Sequence, residues 1–352
     1  MPVTPAPSES ELAERLAVRT LELIDIPSES RDEAQLAAHV ASVLREGGAV
    51  VEDLGDSCVL AYPSELRPQV LLAGHLDTVP AQGNIPGRIA DGRVTGLGAS
   101  DMLGALAVMI ELVLARAPYA ALFFPREELP ANESALAPLL ERHKLQQEFV
   151  VVMEPTDGEL HAGCLGNINA TWTFSGRSGH SARPWQADNA IHKAALGIAA
   201  LASAPSVPVT LHGLTFHEVV SVTRVEGGIA GNVIPETCVA GVNYRYGPGR
   251  TPHEAEKRLE AMTQGLGTLE VTANSGSGAV ALDHPLAQKL IAAGDLAVAP
   301  KQAWTPVAEF AAAGYPAVNF GPGETSQAHQ RGEGIGIDRL LHAHRVLEAY
   351  GT

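Results

Sequence analysis

Apolar and polar positions follow two rhythms along this chain. Through the first 165 residues, short wholly apolar runs alternate with segments of helical spacing. The runs Cys58–Tyr62, Val70–Gly74, Ala121–Phe124 and Phe149–Met153 predict strands buried on both faces, as in a mostly parallel sheet covered by helices. Ser8-Glu9-Ser10-Glu11 has capping-box spacing and predicts a helix through about Ile24. Leu36, Val40, Val43 and Leu44 fall on one helical face. Further helices are predicted over Gly104–Ala115 and Glu133–His143.

Near Gly166 the rhythm becomes strict alternation. Ile168, Ala170, Trp172 and Phe174 share one face, Asn169, Thr171 and Thr173 the other, which predicts a half-exposed antiparallel strand. A helix over Ala187–Ala202, strands near Glu218–Val225 and Thr237–Tyr246, a helix over Pro252–Gln264 and a strand near Thr268–Ala273 follow. That β-α-β-β-α-β order is ferredoxin-like. Asn274-Ser275-Gly276-Ser277-Gly278 reads as a return linker, and helix and strand alternate again from His284 to a last helix starting near Asp338. The expected organisation is one α/β/α domain in two pieces, 1–165 and 281–352, carrying an inserted α+β domain, 166–280. Segment 1–7 is a Pro-rich tip that is expected to be mobile.

Composition narrows the function classes. A net charge of −16 disfavours a nucleic-acid partner, which needs clustered Lys and Arg. No apolar run approaches the ~20 residues that span a bilayer, and the first residues hold no apolar core of a signal peptide. The cysteines Cys58, Cys164 and Cys238 form neither a disulfide framework nor a zinc motif. A cytoplasmic protein with no membrane or nucleic-acid partner is expected.

The candidate chemistry gathers at strand ends. The stretch Leu71-Leu72-Ala73-Gly74-His75-Leu76-Asp77 delivers His75 and Asp77 two residues apart, so the Asp77 carboxylate is expected beside the imidazole as its orienting partner. Asp101 lies in a Gly-rich loop before a helix, Glu127 and Glu128 follow one strand, Glu154 follows another, and His329 lies in a loop after Phe320-Gly321-Pro322-Gly323. Open α/β sheets place ligand sites at such strand ends. Each residue alone has an ordinary structural reading: Asp101 as a helix N-cap, Glu127 or Glu128 as solvated charges, His329 as a surface imidazole. Together, two histidines and three carboxylates suit a pair of zinc ions, with a sixth group, the remaining acid of the Glu127-Glu128 pair, left to move protons.

Gly74-His75-Leu76-Asp77-Thr78-Val79-Pro80, Gly98-Ala99-Ser100-Asp101-Met102, Glu127-Glu128, Met153-Glu154-Pro155, Ser178-Gly179-His180-Ser181-Ala182-Arg183-Pro184, Gly231-Asn232-Val233-Ile234-Pro235 and Asn319-Phe320-Gly321-Pro322-Gly323 resemble, in order, the motifs of the di-zinc aminoacylase/carboxypeptidase family of metallopeptidases. Within it, Glu154–Gly166 and His180–His192 are most similar to the succinyl-diaminopimelate desuccinylase branch. The resemblance implies a zinc-peptidase-like catalytic domain with a dimerisation or lid insert. It also implies that His75 and Glu154 hold one zinc ion, Glu128 and His329 the other, and Asp101 both, with Co2+ or Mn2+ as substitutes. Glu127 would be the general base and Asp77 the orienter. In a homodimer, His180 would stabilise the oxyanion and Asn232 would bind substrate across the dimer; Arg245, Thr305 and Gly323 would contact an N-acyl amino acid.

The chain departs from the branch at Pro306 and Glu309, where relatives carry Asp and Arg, and at Leu103, Cys164 and Leu165. Glu309 in place of an arginine would repel a dicarboxylate. Cleavage of N-succinyl-diaminopimelate is the first expectation. Another deacylase or a dipeptidase/carboxypeptidase of the family is the second, and a non-catalytic metal-binding relative the third.

Overall fold

The apolar runs become the centre of an eight-stranded sheet in a computed structural model that describes residues 8–65 and 67–352. The Pro-rich segment 1–7 lies outside the described residues. Two compact units emerge: Met1–Gly163 with Val280–Ala299 and Glu309–Thr352, and Cys164–Ala279 with Pro300–Ala308.

In the first unit the strand order is Val50–Asp53, Val59–Tyr62, Tyr119–Phe124, Val70–His75, Phe149–Val152, Ala317–Asn319, Leu160–Ala162 and Val298–Pro300. The four central strands, Tyr119–Phe124 through Ala317–Asn319, run parallel, so their C-terminal ends lie along one edge. Their residues are fully buried, which is why they read as unbroken apolar runs rather than alternations. The helix Glu9–Ile24 starts with the predicted capping box, Ser8 and Glu11 bonding reciprocally. The helix Gly104–Leu114 is buried from Gly104 to Val113. Its one buried acid, Glu111, is neutralised by Arg15 and Arg19 of the first helix, since a buried charge without a partner is costly.

The second unit builds a five-stranded antiparallel sheet in the order Val207–Leu211, Leu214–Gly227, Thr237–Tyr246, Gly166–Ser175, Thr268–Ser275. Its last four strands keep the ferredoxin-like arrangement. The edge strand Val207–Leu211, which alternates only weakly, is an addition to the predicted order. Ile168, Trp172, Phe174, Val242 and Tyr244 pack with Ala194 and Leu259 of the two helices, so the alternating face is the core face.

Residues 300–308, expected with the second piece of the α/β domain, group instead with this unit. Local hydrogen bonds explain the change: Leu165 N–H donates to the Ala303 carbonyl at 3.0 Å, Trp304 Nε1 to Gly276 at 3.1 Å, and Gln302 bonds both backbone groups of His217.

Glu218 is buried beneath that sheet. Its carboxylate accepts from Arg250 at 2.9 and 3.1 Å, from Tyr244 Oη at 3.1 Å and from Gly247 N–H at 3.1 Å. Burial alone would raise its pKa, but these bonds outweigh burial and hold it below the usual carboxylate value. Its stabilising contribution is therefore present above the unfolded carboxyl pKa of ~4.3 and is lost as pH falls through the lower folded value. Glu218→Ala is expected to cost about 3 kcal/mol at neutral pH in urea unfolding. The parent's advantage over the variant should shrink as pH drops below 4 on the order of one unit.

Candidate metal centre

Four parallel strands deliver the acids and histidines to one edge. His75 is the last residue of its strand, and Leu76 N–H bonds the Phe124 carbonyl at 2.8 Å. The neighbouring strand then leads into Glu127 and Glu128. Met153 N–H bonds Ala73 at 2.8 Å, fixing Glu154 beside His75, and Phe320 N–H bonds Val152 at 2.9 Å at the start of the segment that carries Gly323 and His329.

These side chains converge. His75, Asp101 and Glu154 present donor atoms within 4.8 Å of one another, as do Asp101, Glu128 and His329, and also His75, Glu127 and Glu128. Asp101 belongs to both of the first two groups, and its two oxygens face different rings. Oδ1 lies 3.3 Å from His75 Nε2 and Oδ2 lies 3.6 Å from His329 Nε2. Glu154 Oε1 is 3.7 Å from His75 Nε2, and Glu128 Oε1 is 2.8 Å from His329 Nε2. Imidazole nitrogen with carboxylate oxygen is the donor set of zinc, and the residues fit a pair of divalent cations that share Asp101.

The titration of these groups reflects crowding. Burial opposes a charged His75, yet its bond to Asp101 and the surrounding carboxylates raise its pKa well above the ordinary value. The Glu128 bond lifts His329 to about 9. Glu127 is pushed well above the usual carboxyl range by burial first and by repulsion from Glu154 next. Metal binding requires neutral rings and so would compete with their protonation.

Asp77 is placed differently from expectation. The strand ends at His75, so the two-residue alternation no longer governs Asp77. His75 Nδ1 faces the Asp77 backbone carbonyl at 2.9 Å, while the nearer carboxylate oxygen is 3.6 Å away. The carboxylate instead accepts from Glu127 N–H at 2.9 Å, Glu128 N–H at 3.0 Å and Ser30 Oγ at 2.8 Å. Asp77 thus orients the ring through its backbone and the Glu127-Glu128 turn through its side chain. Buried Glu33 extends the pattern by accepting from Arg126 N–H at 3.2 Å and Arg31 N–H at 2.8 Å.

Asp101 is not a helix N-cap. It sits inside the tight turn Ala99–Leu103, where Asp101 and Met102 depart from helical dihedrals. Gly98 enters that turn at φ 71°, a conformation only glycine adopts freely. Gly323 packs so closely that a Cβ there would meet the Ser100 carbonyl at 2.2 Å. The acid that holds this turn is Glu333, accepting from Gly98, Ser100 and Asp101 N–H groups. Sequence reasoning missed Glu333, Glu33 and Ser30. The one available signal was an acid flanked by glycines, Gly332-Glu333-Gly334, at the entry to an apolar strand.

The remaining candidates belong to the second unit. His180 is exposed, and its Nδ1 accepts from Ala182 N–H at 3.1 Å, which places the ring proton of neutral imidazole on Nε2 as a free donor. The exposed Asn232 gives its carbonyl to Ser181 N–H at 3.0 Å. Arg245 is half-buried, bonds Asn243 Oδ1 at 3.0 Å through Nε, and has no carboxylate in ion-pair range among the described residues. Thr305 is buried, its carbonyl 3.6 Å from the Cys164 thiol. In the first unit Glu309 does not stand free: Ser134 Oγ donates to it at 2.6 Å, and burial raises its pKa. The carboxyl group expected to repel a dicarboxylate is thus engaged by Ser134.

Residues 71–351 match peptidase family M20/M25/M40. A Mycobacterium tuberculosis protein provisionally named a succinyl-diaminopimelate desuccinylase is 36% identical over 340 residues, covering 94% of this chain and 96% of that protein. The succinyl-diaminopimelate desuccinylase of Corynebacterium glutamicum is 33% identical, with 95% of each chain covered. The solved aminopeptidase of Bacillus cereus shares the fold at TM-score 0.76 and 18% identity, over 96% of this chain and 97% of that one.

Asp77→Ala would leave the Glu127 and Glu128 N–H groups without their acceptor. Zinc affinity measured by isothermal titration is expected to fall about 10- to 100-fold while far-ultraviolet circular dichroism stays that of the parent.

Proposed function

Since the chain belongs to peptidase family M20/M25/M40 and is a metal-dependent amidohydrolase, we propose that it hydrolyses the amide of an N-acyl amino acid. The substrate we assign is N-succinyl-LL-2,6-diaminopimelate, yielding succinate and LL-diaminopimelate, a precursor for lysine and cell wall. The observation that carries the reaction is the pair of donor groups sharing Asp101. Full-length likeness to two proteins bearing the desuccinylase name supports the substrate.

In this reading His75 and Glu154 would hold one zinc ion, Glu128 and His329 the second, and Asp101 would serve both. The bound ions supply Lewis acidity and an acidified water, with a pKa near ~7 for water on zinc. Glu127, whose neighbours are His75 and Glu128, takes a proton from the attacking water on its carboxylate and returns it to the leaving nitrogen. Water is thereby divided: its hydroxyl ends on the acyl carbon as the new carboxylate, and a proton ends on the amine. His180 presents its Nε2–H to the developing oxyanion, a role suited to a positioned donor. In a homodimer, Asn232 binds substrate across the dimer. Arg245 pairs with a substrate carboxylate, and Thr305 and Gly323 offer hydroxyl and backbone contacts.

Zinc-loaded protein is expected to release succinate from N-succinyl-diaminopimelate. Turnover of N-acetylornithine or a dipeptide instead would move the assignment to another deacylase or peptidase of the family. No turnover on the whole panel by metal-replete protein would leave a non-catalytic relative.

Glu127→Gln is expected to lower kcat by roughly 10²- to 10⁴-fold with both metals retained by elemental analysis. Arg245→Gln is expected to raise KM about tenfold or more, since a charge-assisted bond is worth ~1.5–3 kcal/mol, and to leave metal content alone.

A further inference from the structure

Glu333 is a buried carboxylate, 1% exposed, in a neighbourhood already rich in negative charge. Placing a carboxylate there is unfavourable unless strong donors meet it. Three backbone N–H groups do so. Oε2 accepts from Gly98 at 3.0 Å, and Oε1 accepts from Ser100 at 2.9 Å and from Asp101 at 3.0 Å. The turn they belong to cannot satisfy them itself, because Asp101 and Met102 leave helical geometry at φ −129° and −135°. The backbone of Glu333 contributes as well. Its carbonyl accepts from Gly96 at 2.9 Å, and its N–H bonds the Gln330 carbonyl at 3.3 Å, closing the turn that begins beside His329. Ser100 Oγ adds a second tie, accepting from Glu324 N–H at 2.8 Å. One side chain therefore fixes the turn of Asp101 against the segment of His329, more than 200 positions away in sequence.

We propose that Glu333 is a positioning residue of the metal centre, setting the Asp101 carboxylate between His75 and His329 before any metal binds. The inference rests on the metal-binding reading above and goes beyond it in naming what holds the shared donor. Packing alone does not account for an acid here. An apolar residue of similar size would fill the space without the burial of charge, but it would leave three N–H groups without an acceptor. A carboxamide cannot replace the acid either, since its single oxygen would face three donors and its NH2 would oppose at least one of them.

The test measures zinc binding alone, on the full chain. Glu333→Gln is expected to bind zinc about 10- to 100-fold more weakly than the parent, the usual effect of removing a group that orients a ligand. In comparison, Glu111→Gln, which breaks the buried pairing with Arg15 and Arg19 far along the helix Gly104–Leu114 that follows the turn, is expected to lower the melting temperature without changing zinc affinity. If Glu333→Gln binds zinc within twofold of the parent, or if Glu111→Gln weakens binding equally, Glu333 is only a stabilising group and the proposal fails. A parent that binds no zinc overturns the metal reading itself.

Should Glu333→Gln not fold, hydrogen exchange on the metal-free parent decides. The amides of Gly98, Ser100 and Asp101 are expected to be protected at least 100-fold relative to those of the exposed turn Asp91-Gly92. Exchange as fast as that turn would show that Glu333 does not hold the loop.

Discussion

Like charges held close together in a low-dielectric pocket repel by several kcal/mol per pair, and this chain gathers Asp101, Glu127, Glu128 and Glu154 around two imidazoles. Left to mobile loops, such groups would separate into water. What prevents it is backbone. The loops of Asp101 and of Glu127 and Glu128 are tied by N–H groups to further buried carboxylates: Asp77 holds the Glu127-Glu128 turn, Glu33 holds Arg126 beside it, and Glu333 holds the turn of Asp101. The second set of acids has its charge met by backbone dipoles. The first set keeps its oxygens for a cation. This division lets so much negative charge stay fixed before a metal supplies the balancing charge.

The sheet makes that arrangement possible. Parallel strands place their C-terminal ends on one edge, and their interstrand hydrogen bonds set the start of each loop to within a residue. Short excursions then suffice, from His75 itself to Glu154 two positions past its strand. Asp101 and His329 are the exceptions, 26 residues beyond His75 and ten beyond Asn319, and His329 is the ligand candidate most exposed to solvent, its side chain 50% accessible. Its long approach is where additional restraint is concentrated: Gly323 against Ser100, Glu324 paired with Arg93, Thr325 bonded to Asp157, and Glu333 at the far end.

Much of this was legible in the sequence, because it depends on local pattern. Continuous apolar runs marked the buried strands, clean alternation marked the second unit, and Ser8 with Glu11 marked a helix start. The acids and histidines at strand ends stood out because such residues have few structural reasons to recur there. What was not legible depends on distance. Glu333 acts through three N–H groups more than 230 positions away, and nothing in its own surroundings encodes that. Asp77 was read as the partner of His75 by strand periodicity, but the strand stops at His75, two residues short of Asp77. The edge strand Val207–Leu211 carries a proline and only intermediate burial, so its pattern is faint. Segment 300–308 reads as part of the α/β alternation, and only its bonds to Leu165, Gly276 and His217 assign it elsewhere.

The departures at 306 and 309 bear on substrate choice rather than on metal chemistry. Replacing arginine by glutamate reads in the sequence as a reversal of charge, and a reversal would reject an anionic substrate. The fold changes that inference at the level of one hydrogen bond. Ser134 donates to Glu309 and burial raises its pKa, so the carboxyl is engaged within its own unit. Under the proposed function, a substrate carboxylate needs a cation not already engaged by an acid. Arg245 meets that condition: its Nε is held by the neutral amide of Asn243, and no carboxylate is in range of its remaining donors among the described residues. Burial makes an isolated guanidinium unfavourable, and an incoming carboxylate is the group that would relieve it.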